Sequence, residues 1–542
     1  MGDATTTRRR KHWGWGWEDQ QPSVADLKAL APAIRERLGF GAEPEEPVRL
    51  DAIRLPSPRL VPPRSLAEIV SDDHHERVAH GLGKAYRDVV RGMRGQFTYP
   101  PDLVARPRDE VELEALLDWC SDARAAAIPY GGGTSVVGGV EPRVADDYAG
   151  AVTIDLGALD RVLDVDPLSR AARIQAGVLG PALSDQLREH GLTLRHFPQS
   201  FEYSSLGGWI ATRAGGHFAT LYTHIDDLVE SVRALTPSGT WESRRLPGSG
   251  AGPSPDRALI GSEGILGVIT EAWLRVHERP RWKLSCGVAF DSFAAGARAV
   301  RELAQSGLNP ANCRLLDEGE AEFTGAGPPG KALLVLGFES AHHPVDAPME
   351  LALEAAREHG GEAGELRNGG GGGGDAVGAW RQAFLAAPYL RDTLVACGVL
   401  SETFETAITW DRFEEFHAAV METARAAVAS ASGVSAAGEG APKLSCRFTH
   451  VYPDGPAPYY TVLAPARRGS EVDQWAEIKA AVSETVIDAG GTITHHHAVG
   501  RDHRPWYDRQ RPEPFAEALR AAKRALDPAG VLNPGVLIDP AP

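Results

Sequence analysis

Cysteine is scarce and scattered in this 542-residue sequence, which has five cysteines. They include no C-x-x-C pair, and an odd number of isolated cysteines excludes a disulfide framework and a cysteine-based zinc site. Long apolar runs are also missing, because no stretch reaches the roughly 18 uninterrupted apolar residues that span a bilayer. The N-terminus does not resemble a secretory signal, since Arg8–Arg10 is followed by tryptophans and glycines. We therefore expect a cytoplasmic protein.

Basic residues are outnumbered by acidic ones. The sequence has 56 Lys and Arg against 73 Asp and Glu, a formal net charge of −17. Such a charge repels phosphodiester backbones and anionic membranes, so nucleic-acid binding is not expected. The basic, Trp-rich start could still contact a membrane surface, although Gly14 and Gly16 make it a poor amphipathic helix.

The hydrophobic pattern changes along the chain. Residues 1–95 are predicted to be mostly helical and connecting segments, with helices over 23–38 and 76–93. From residue 100, short β-rich runs alternate with helices, which indicates an α+β fold. Residues 229–241 show period-two alternation around a turn cluster and predict a β-hairpin. The six glycines at 369–374 predict a flexible surface loop, because glycine loses the most backbone entropy on ordering.

Three glycine-rich clusters follow one another within the predicted α+β region, at residues 129–135, 204–216 and 260–270. Successive glycines carry no Cβ, so their backbone N–H groups can approach an anionic ligand closely. The second cluster precedes a predicted short helix whose N-terminal amides would be offered to a pyrophosphate. The first cluster alone could be a structural turn, and it fits neither a Walker loop nor G-x-G-x-x-G. Three clusters in order indicate a dinucleotide site.

With these clusters the chain resembles flavoproteins of the vanillyl-alcohol oxidase type. The resemblance implies an α+β fold: a two-subdomain FAD-binding domain, an α+β cap domain, and helical N- and C-terminal segments. It implies non-covalent FAD, since no histidine occurs in 130–140. The residues placed around FAD are Pro129, Tyr130, Gly131, Gly132, Gly133, Thr134, Ser135, Gln199, Ser200, Ser204, Ser205, Gly208, Thr212, Arg213, Ala214, Gly215, Glu263, Gly264, Leu266, Gly267, Val268 and Ile269.

Motifs outside the glycine clusters narrow the resemblance. Residues 13–16, 227–229, 401–406, 410–412 and 495–500 together are similar to the alkyldihydroxyacetonephosphate synthase family. This resemblance implies that the acyl group of an acyl-dihydroxyacetone phosphate is exchanged for a fatty alcohol through a flavin N5 adduct, in ether lipid synthesis. It also implies a homodimer and a membrane-facing hydrophobic entrance. The implied division is 1–95 (N-terminal helical extension), 96–279 (FAD-binding domain), 280–495 (substrate and cap domain) and 496–542 (C-terminal helical segment packing back near the flavin).

The family resemblance also suggests substrate-binding and catalytic side chains. A substrate phosphate needs fixed cations, and Arg314 and Arg391 match the family's arginines near the substrate. Proton removal beside a ketone needs a positioned acid/base. Tyr460 aligns with the family's catalytic tyrosine, although strand alternation allows only one of Tyr459 and Tyr460 to face a site.

The run His495, His496 and His497 matches family histidines that bracket flavin and substrate. They could supply positive charge or hydrogen bonds to developing oxyanions. Consecutive residues of an extended chain point to opposite sides, so no metal site is predicted.

Departures from the family pattern keep other functions open. Pro458 stands where the family has cysteine, Gln199 replaces an aspartate, and residues 526–535 look more like the end of flavin-linked 2-hydroxyacid dehydrogenases. The alternatives are an FAD-linked dehydrogenase or oxidase of a small 2-hydroxy acid, such as D-lactate or glycolate, and a non-catalytic flavin-binding protein.

Overall fold

The computed structural model describes residues 9–369, 387 and 389–539. The loop predicted for the six glycines therefore lies, apart from Gly369, outside the described residues. Within these ranges no helix combines the length and apolar character needed to cross a membrane.

The N-terminal part, as described from residue 9, consists of three α-helices joined by connecting segments. Its helices are α1 (Val24–Leu38), α2 (His74–Ala79) and α3 (Tyr86–Met93). The Ser23 hydroxyl caps α1 by accepting from the Asp26 N–H, and Gly39 ends it in the left-handed conformation. The prediction of one helix over 76–93 was wrong, because residues 80–85 break it. At Gly83 an added Cβ would lie 2.4 Å from the Ser135 carbonyl oxygen, so the chain here packs against the first glycine cluster.

A four-stranded sheet carries the first glycine cluster. Its strands are β1 (Val70–Ser71), β2 (Leu103–Ala105), β3 (Ala125–Tyr130) and β4 (Gly150–Asp155), in the order β1-β2-β4-β3. Only β1 pairs antiparallel. Helix α4 (Glu110–Ala123) buries Leu113, Leu116 and Leu117 against this sheet. Strand β3 runs directly into residues 131–135, so the sheet fixes where that turn lies.

A second, antiparallel sheet carries the other two clusters. It has the order β5-β6-β10-β8-β9, and a short pair joins β7 to β11. The predicted hairpin is confirmed, because Thr236 pairs with Gly239. The elements of this part are β5 (Val162–Asp166), β6 (Ala171–Gln175), α5 (Gly180–Glu189), β7 (Leu192–Thr193), α6 (Leu206–Thr212), α7 (Ala219–Tyr222), α8 (Ile225–Leu228), β8 (Val229–Thr236), β9 (Gly239–Glu242), α9 (Pro255–Leu259), β10 (Val268–Arg275) and β11 (His277–Glu278).

An eight-stranded antiparallel sheet forms the cap. Its order is β15-β12-β14-β13-β18-β19-β17, with β16 beside β12. Helices α10, α12, α13 and α14 share a hydrophobic core with one face of this sheet. The elements are β12 (Trp282–Phe290), α10 (Phe293–Gln305), β13 (Asn312–Leu316), α11 (Glu318–Thr324), β14 (Ala332–Ser340), α12 (Asp346–Glu358), β15 (Glu362–Ala363), β16 (Arg367–Asn368), β17 (Val399–Glu405), α13 (Phe413–Ser432), β18 (Lys443–Val451), β19 (Pro456–Pro465) and α14 (Glu471–Asp488).

The C-terminal segment returns to the first sheet after helices α15 (Arg504–Gln510) and α16 (Glu513–Leu526). Asp527 organises the turn, accepting from Lys523 Nζ at 2.5 Å and from the N–H groups of Val531 and Leu532. Leu532 then pairs beside Ala127 of β3. The domain boundaries given above stay a prediction.

Candidate active site

A cavity of about 660 Å³ lies between the glycine clusters and the open face of the cap sheet. Its volume is within the range of small-molecule and cofactor sites. Residues 129–135 and 199–200, together with most of 204–215 and part of 263–269, line one wall. Side chains of β13, β17, β18 and β19, together with His496 and His497, line the other.

The turn that follows β3 is packed so closely that only glycine fits. A Cβ at Gly131 would lie 2.0 Å from Ser205 Oγ, and one at Gly132 would lie 1.9 Å from the Tyr203 carbonyl oxygen. Gly133 has φ +67°, which disfavours any residue with a side chain. The loop preceding α6 therefore touches this turn directly, and the two clusters form one surface.

The backbone N–H groups of residues 131–136 are the strongest sign of an anion site. In the described part of the chain none of them donates a hydrogen bond to protein. Buried backbone donors are normally paired. A run of N–H groups without protein acceptors at a cavity wall fits a diphosphate, so these residues would hold the FAD pyrophosphate.

The N-terminal amides of α6 are not available to bind a pyrophosphate. They already have protein acceptors: Leu206 N–H donates to the Val178 carbonyl, Gly207 N–H to Ala176, and Gly208 N–H to Ser205 Oγ. Our prediction that this helix offers its amides to a pyrophosphate was wrong, because the loop after β6 accepts two of these hydrogen bonds and Ser205 accepts the third.

Most of the predicted cofactor residues line the cavity, but three do not. Arg213 turns outward and forms an ion pair with Asp226 at 2.7 Å. Leu266 and Val268 are buried in the hydrophobic cores beneath the wall. These three residues support the wall, and they do not reach the space that FAD would fill.

Three arginines converge on the cavity from the cap. Arg314 alternates on β13 with core residues Cys313 and Leu315. Burial, together with the neighbouring Arg447, lowers the pKa of Arg314 to about 9, so it remains charged at neutral pH. Arg391 is half-buried and donates from Nη2 to Thr403 Oγ1 at 3.4 Å.

Arg447 was missed by the sequence analysis. Its guanidinium forms an ion pair with Glu320 and lies 4.1 Å from the centre of the Tyr459 ring. Only the fold brings Glu320 to it, since the two residues are 127 positions apart.

Tyr459, not Tyr460, faces the cavity. Tyr459, Thr461 and Leu463 line the wall, whereas Tyr460 and Val462 belong to the core on the other face of β19. Tyr460 is 1% exposed, stacks on Phe404, and has its hydroxyl hydrogen-bonded to His417 Nδ1 at 3.1 Å. Our assignment of Tyr460 as the catalytic tyrosine is therefore corrected by the register of the strand.

Two buried carboxylates hold the histidine run in place. Glu405, from the end of β17, accepts hydrogen bonds from the backbone N–H groups of His495, His496 and His497. Glu263, from the third glycine cluster, accepts from Val499 N–H at 2.9 Å and Gly500 N–H at 2.8 Å. The cap and the FAD-binding part thus each fasten one end of this turn.

The histidines are neutral near pH 7. Burial lowers the pKa of His496 to about 3 and that of His497 to about 4. Both line the cavity beside Tyr459, with ring centres 6.0 and 5.5 Å from it. They can exchange hydrogen bonds with a ligand, but the predicted positive charge is not available in this environment.

His495 lies behind His496 and does not line the cavity. Its Nδ1 is 3.0 Å from His496 Nδ1, and its Nε2 is 2.6 Å from the Tyr452 hydroxyl. His450, which the sequence analysis left out, lines the cavity nearby. One ring nitrogen of each of these three histidines lies within 4.8 Å of the others. That no metal binds here stays a prediction.

We expect Glu263 to make stability depend on pH. Burial raises its pKa from the ordinary 4.5 to about 7, although the two N–H donors oppose this. Because the folded-state value is the higher one, this contribution is fully present below pH 4.5 and is lost as the pH rises through 7. The largest loss is about 3 kcal/mol. Urea unfolding of wild type and Glu263→Gln, in the same cofactor state, should show the variant gaining relative stability between pH 5 and 8. A constant difference would contradict this.

An apolar extension of the cavity was also missed. It joins the main cavity to α1 and to the helical residues 389–396. The apolar residues that line it are Leu30, Ile34, Leu38, Phe323, Leu390, Leu394 and Leu463. The helical periodicity of α1 was visible in the sequence, but nothing local showed what that helix would cover.

Comparison with known families agrees with this site. The family described as FAD binding domain matches residues 101–243, and FAD linked oxidases, C-terminal domain, matches residues 279–537. A solved structure of p-cresol methylhydroxylase shares the fold, with a TM-score of 0.69 at 15% identity over 88% of this chain and 95% of that one. The protein is an FAD-dependent enzyme with this flavoprotein fold, and the predicted fold class and cofactor are confirmed.

Individual relatives identify the family within this class of FAD-dependent enzymes. Alkyldihydroxyacetonephosphate synthase of Caenorhabditis elegans is 30% identical over 86% of this chain and 81% of its own length. That of Dictyostelium discoideum is 29% identical over 95% and 88%. A solved alkyldihydroxyacetonephosphate synthase superposes with a TM-score of 0.79 at 25% identity, covering 97% of this chain and 98% of that one. The chain belongs to the alkyldihydroxyacetonephosphate synthase family.

Proposed function

We propose that this enzyme replaces the acyl group of an acyl-dihydroxyacetone phosphate with a long-chain alcohol, giving an ether-lipid precursor. One observation carries the proposal: a single cavity joins a cluster of arginines to an apolar extension next to the glycine turn. A substrate with a phosphate at one end and a fatty chain at the other matches both ends.

The arginines suit the phosphate. Arg314, Arg391 and Arg447 reach the cavity from three different elements of the cap. Guanidinium groups can bind two oxygens of one phosphate at once, and burial strengthens each contact. A small 2-hydroxy acid would use such a cluster for its carboxylate, but it would leave the apolar extension empty.

The reaction exchanges one carbon–oxygen bond for another without net oxidation. The bond between C1 and the ester oxygen breaks, and the fatty carboxylate leaves. The alcohol oxygen bonds to C1 and loses its proton, so the products are the alkyl ether, the fatty carboxylate and one proton. When bound, FAD supplies an isoalloxazine ring that can accept and return an electron pair. We assign the transfer of the C1 proton to Tyr459, because it is the tyrosine of β19 that lines the cavity. Neutral His496 and His497 can orient the substrate oxygens by hydrogen bonds.

The test is to incubate the purified holoenzyme with palmitoyl-dihydroxyacetone phosphate and hexadecanol, without an electron acceptor. Mass spectrometry should show alkyl-dihydroxyacetone phosphate and free palmitate in equal amounts. No ether product, together with bleaching of the flavin by D-lactate or glycolate under anaerobic conditions, would assign the enzyme to 2-hydroxy acids instead.

We expect Ile34→Trp to shorten the chain that the enzyme accepts. The larger ring would fill part of the apolar extension, and overpacking of this kind costs about 1–3 kcal/mol. The rate with hexadecanol should fall about tenfold relative to the rate with octanol. Leu351→Trp, at an exposed position of α12, is the control and should leave the ratio unchanged. An unchanged ratio in Ile34→Trp would show that the chain lies elsewhere.

We further propose a cytoplasmic enzyme that contacts membranes peripherally and acts as a homodimer. Leu30 and Leu390 support the membrane contact, because they line the cavity and are still 47% and 40% exposed. Exposed leucines at a cavity mouth suit the entry of a lipid from a bilayer surface.

A further inference from the structure

Residues 9–17, here called the strap, form a short hairpin beside the glycine turn. Arg10 and Trp17 pair as an antiparallel bridge, and Lys11 N–H donates to the Gly16 carbonyl at 3.2 Å. Trp13 and Trp15 are 2% and 5% exposed. The strap is therefore docked on the protein by buried aromatic rings, although it lies near the chain's start.

On one side the strap contacts the turn that would hold the pyrophosphate. Arg10 Nη1 donates a hydrogen bond to the Gly132 carbonyl oxygen. The C=O and N–H of a trans peptide point in opposite directions. Holding the Gly132 carbonyl on the strap side therefore directs the Gly133 N–H the opposite way, and this N–H is one of those without a protein acceptor.

A second cation lies at the same place. Lys84 lines a small chamber with Arg10, Gly132 and Thr134, and its ammonium group interacts electrostatically with Arg10. The Lys84 backbone N–H donates to the Ser135 carbonyl at 2.6 Å. Burial lowers the pKa of Lys84 to about 8. Two cationic side chains thus stand directly behind the donor-rich turn, where they would favour an anion.

On its other side the strap contacts the substrate end of the cavity. Asp392 accepts hydrogen bonds from Lys11 Nζ and from Trp15 N–H, both at 2.7 Å. The Lys11 and Asp392 side chains are each 1% exposed. At Gly14, with φ +62°, an added Cβ would lie 2.2 Å from Asp392 Oδ2. Asp392 directly follows Arg391, so the strap also fixes the backbone that carries this arginine.

We propose that the strap is the rear support of the pyrophosphate-binding turn, with Arg10 as its positioning residue, and that FAD binding and strap docking are coupled. Bound FAD keeps the strap docked, and the docked strap raises the affinity for FAD. Because Asp392 joins the same strap to Arg391, loss of the cofactor also loosens the substrate end of the site.

The first test is FAD affinity, measured by flavin fluorescence on full-length protein stripped of FAD. Arg10→Gln should weaken binding about tenfold, the effect expected for loss of a charge-assisted hydrogen bond. Arg9→Gln removes the same charge one residue earlier, from an exposed side chain, and should bind like wild type. Arg10→Lys keeps a charged donor and should restore part of the affinity. Equal affinities of the Arg10→Gln and Arg9→Gln variants would overturn the proposal.

The second test needs no variant. Trypsin can cut the strap after Arg9, Arg10 and Lys11, and mass spectrometry identifies the cuts. At low trypsin concentration the cleavage rate follows the population of the undocked strap. Because the coupling of binding free energies is reciprocal, saturating FAD should then slow these cuts by about the factor by which the docked strap raises FAD affinity. Cleavage of the strap at the same rate with and without FAD would overturn the coupling.

Discussion

Gly132→Ala is expected to give a folded but colourless protein. The added methyl would lie 1.9 Å from the Tyr203 carbonyl oxygen and 2.7 Å from Ser204 Cα. Both neighbours are backbone atoms, so relief requires the turn to separate from the loop before α6. That movement would scatter the N–H groups that we assign to the pyrophosphate. The ratio of flavin to protein absorbance after purification measures the effect.

The matched control is Gly250→Ala. An added Cβ there meets nothing within 4 Å, and Gly250 is not among the glycines with positive φ. This variant should retain FAD fully, and circular dichroism should show both variants folded. A Gly132→Ala protein that binds FAD like wild type would remove the turn from the cofactor site.

Tyr459→Phe is expected to lower kcat about a hundredfold or more, with FAD retained. Positioned acid/base groups typically contribute 10²- to 10⁴-fold. The ring would keep its packing against Arg447, so substrate binding and stability should change little. Steady-state kinetics with acyl-dihydroxyacetone phosphate and hexadecanol provide the measurement.

Tyr460→Phe is the matched control for Tyr459→Phe. It removes a buried hydroxyl that is bonded to His417, which should cost about 1 kcal/mol of stability and leave kcat within about twofold. If Tyr460→Phe lost turnover and Tyr459→Phe did not, the register-based assignment would be wrong.

The glycine turn was predictable because its signal is local. Three glycine clusters in order indicated a dinucleotide site, and the fold places the first of them at the end of β3. The tyrosine was not predictable in the same way. Alternation shows that Tyr459 and Tyr460 face opposite sides, but only pairing with β17 and β18 decides which side is the core.

Long-range contacts account for the other differences. The α6 amides looked available in the sequence, yet residues 176 and 178 of a distant loop accept their hydrogen bonds. Arg447 was missed because only the folded sheet buries it beside Glu320. Positive charge and hydrogen bonding both stayed open for the histidines, because a sequence does not show the burial that keeps them neutral.

The two carboxylates that hold the histidine turn limit how the two halves of the molecule can be recombined. Glu405 and Glu263 come from separate halves of the molecule, so neither half alone can present His496 and His497 correctly. A chimera that joins the cap of a relative to the FAD-binding part of this protein would acquire the relative's specificity only if it kept both Glu405 and Glu263.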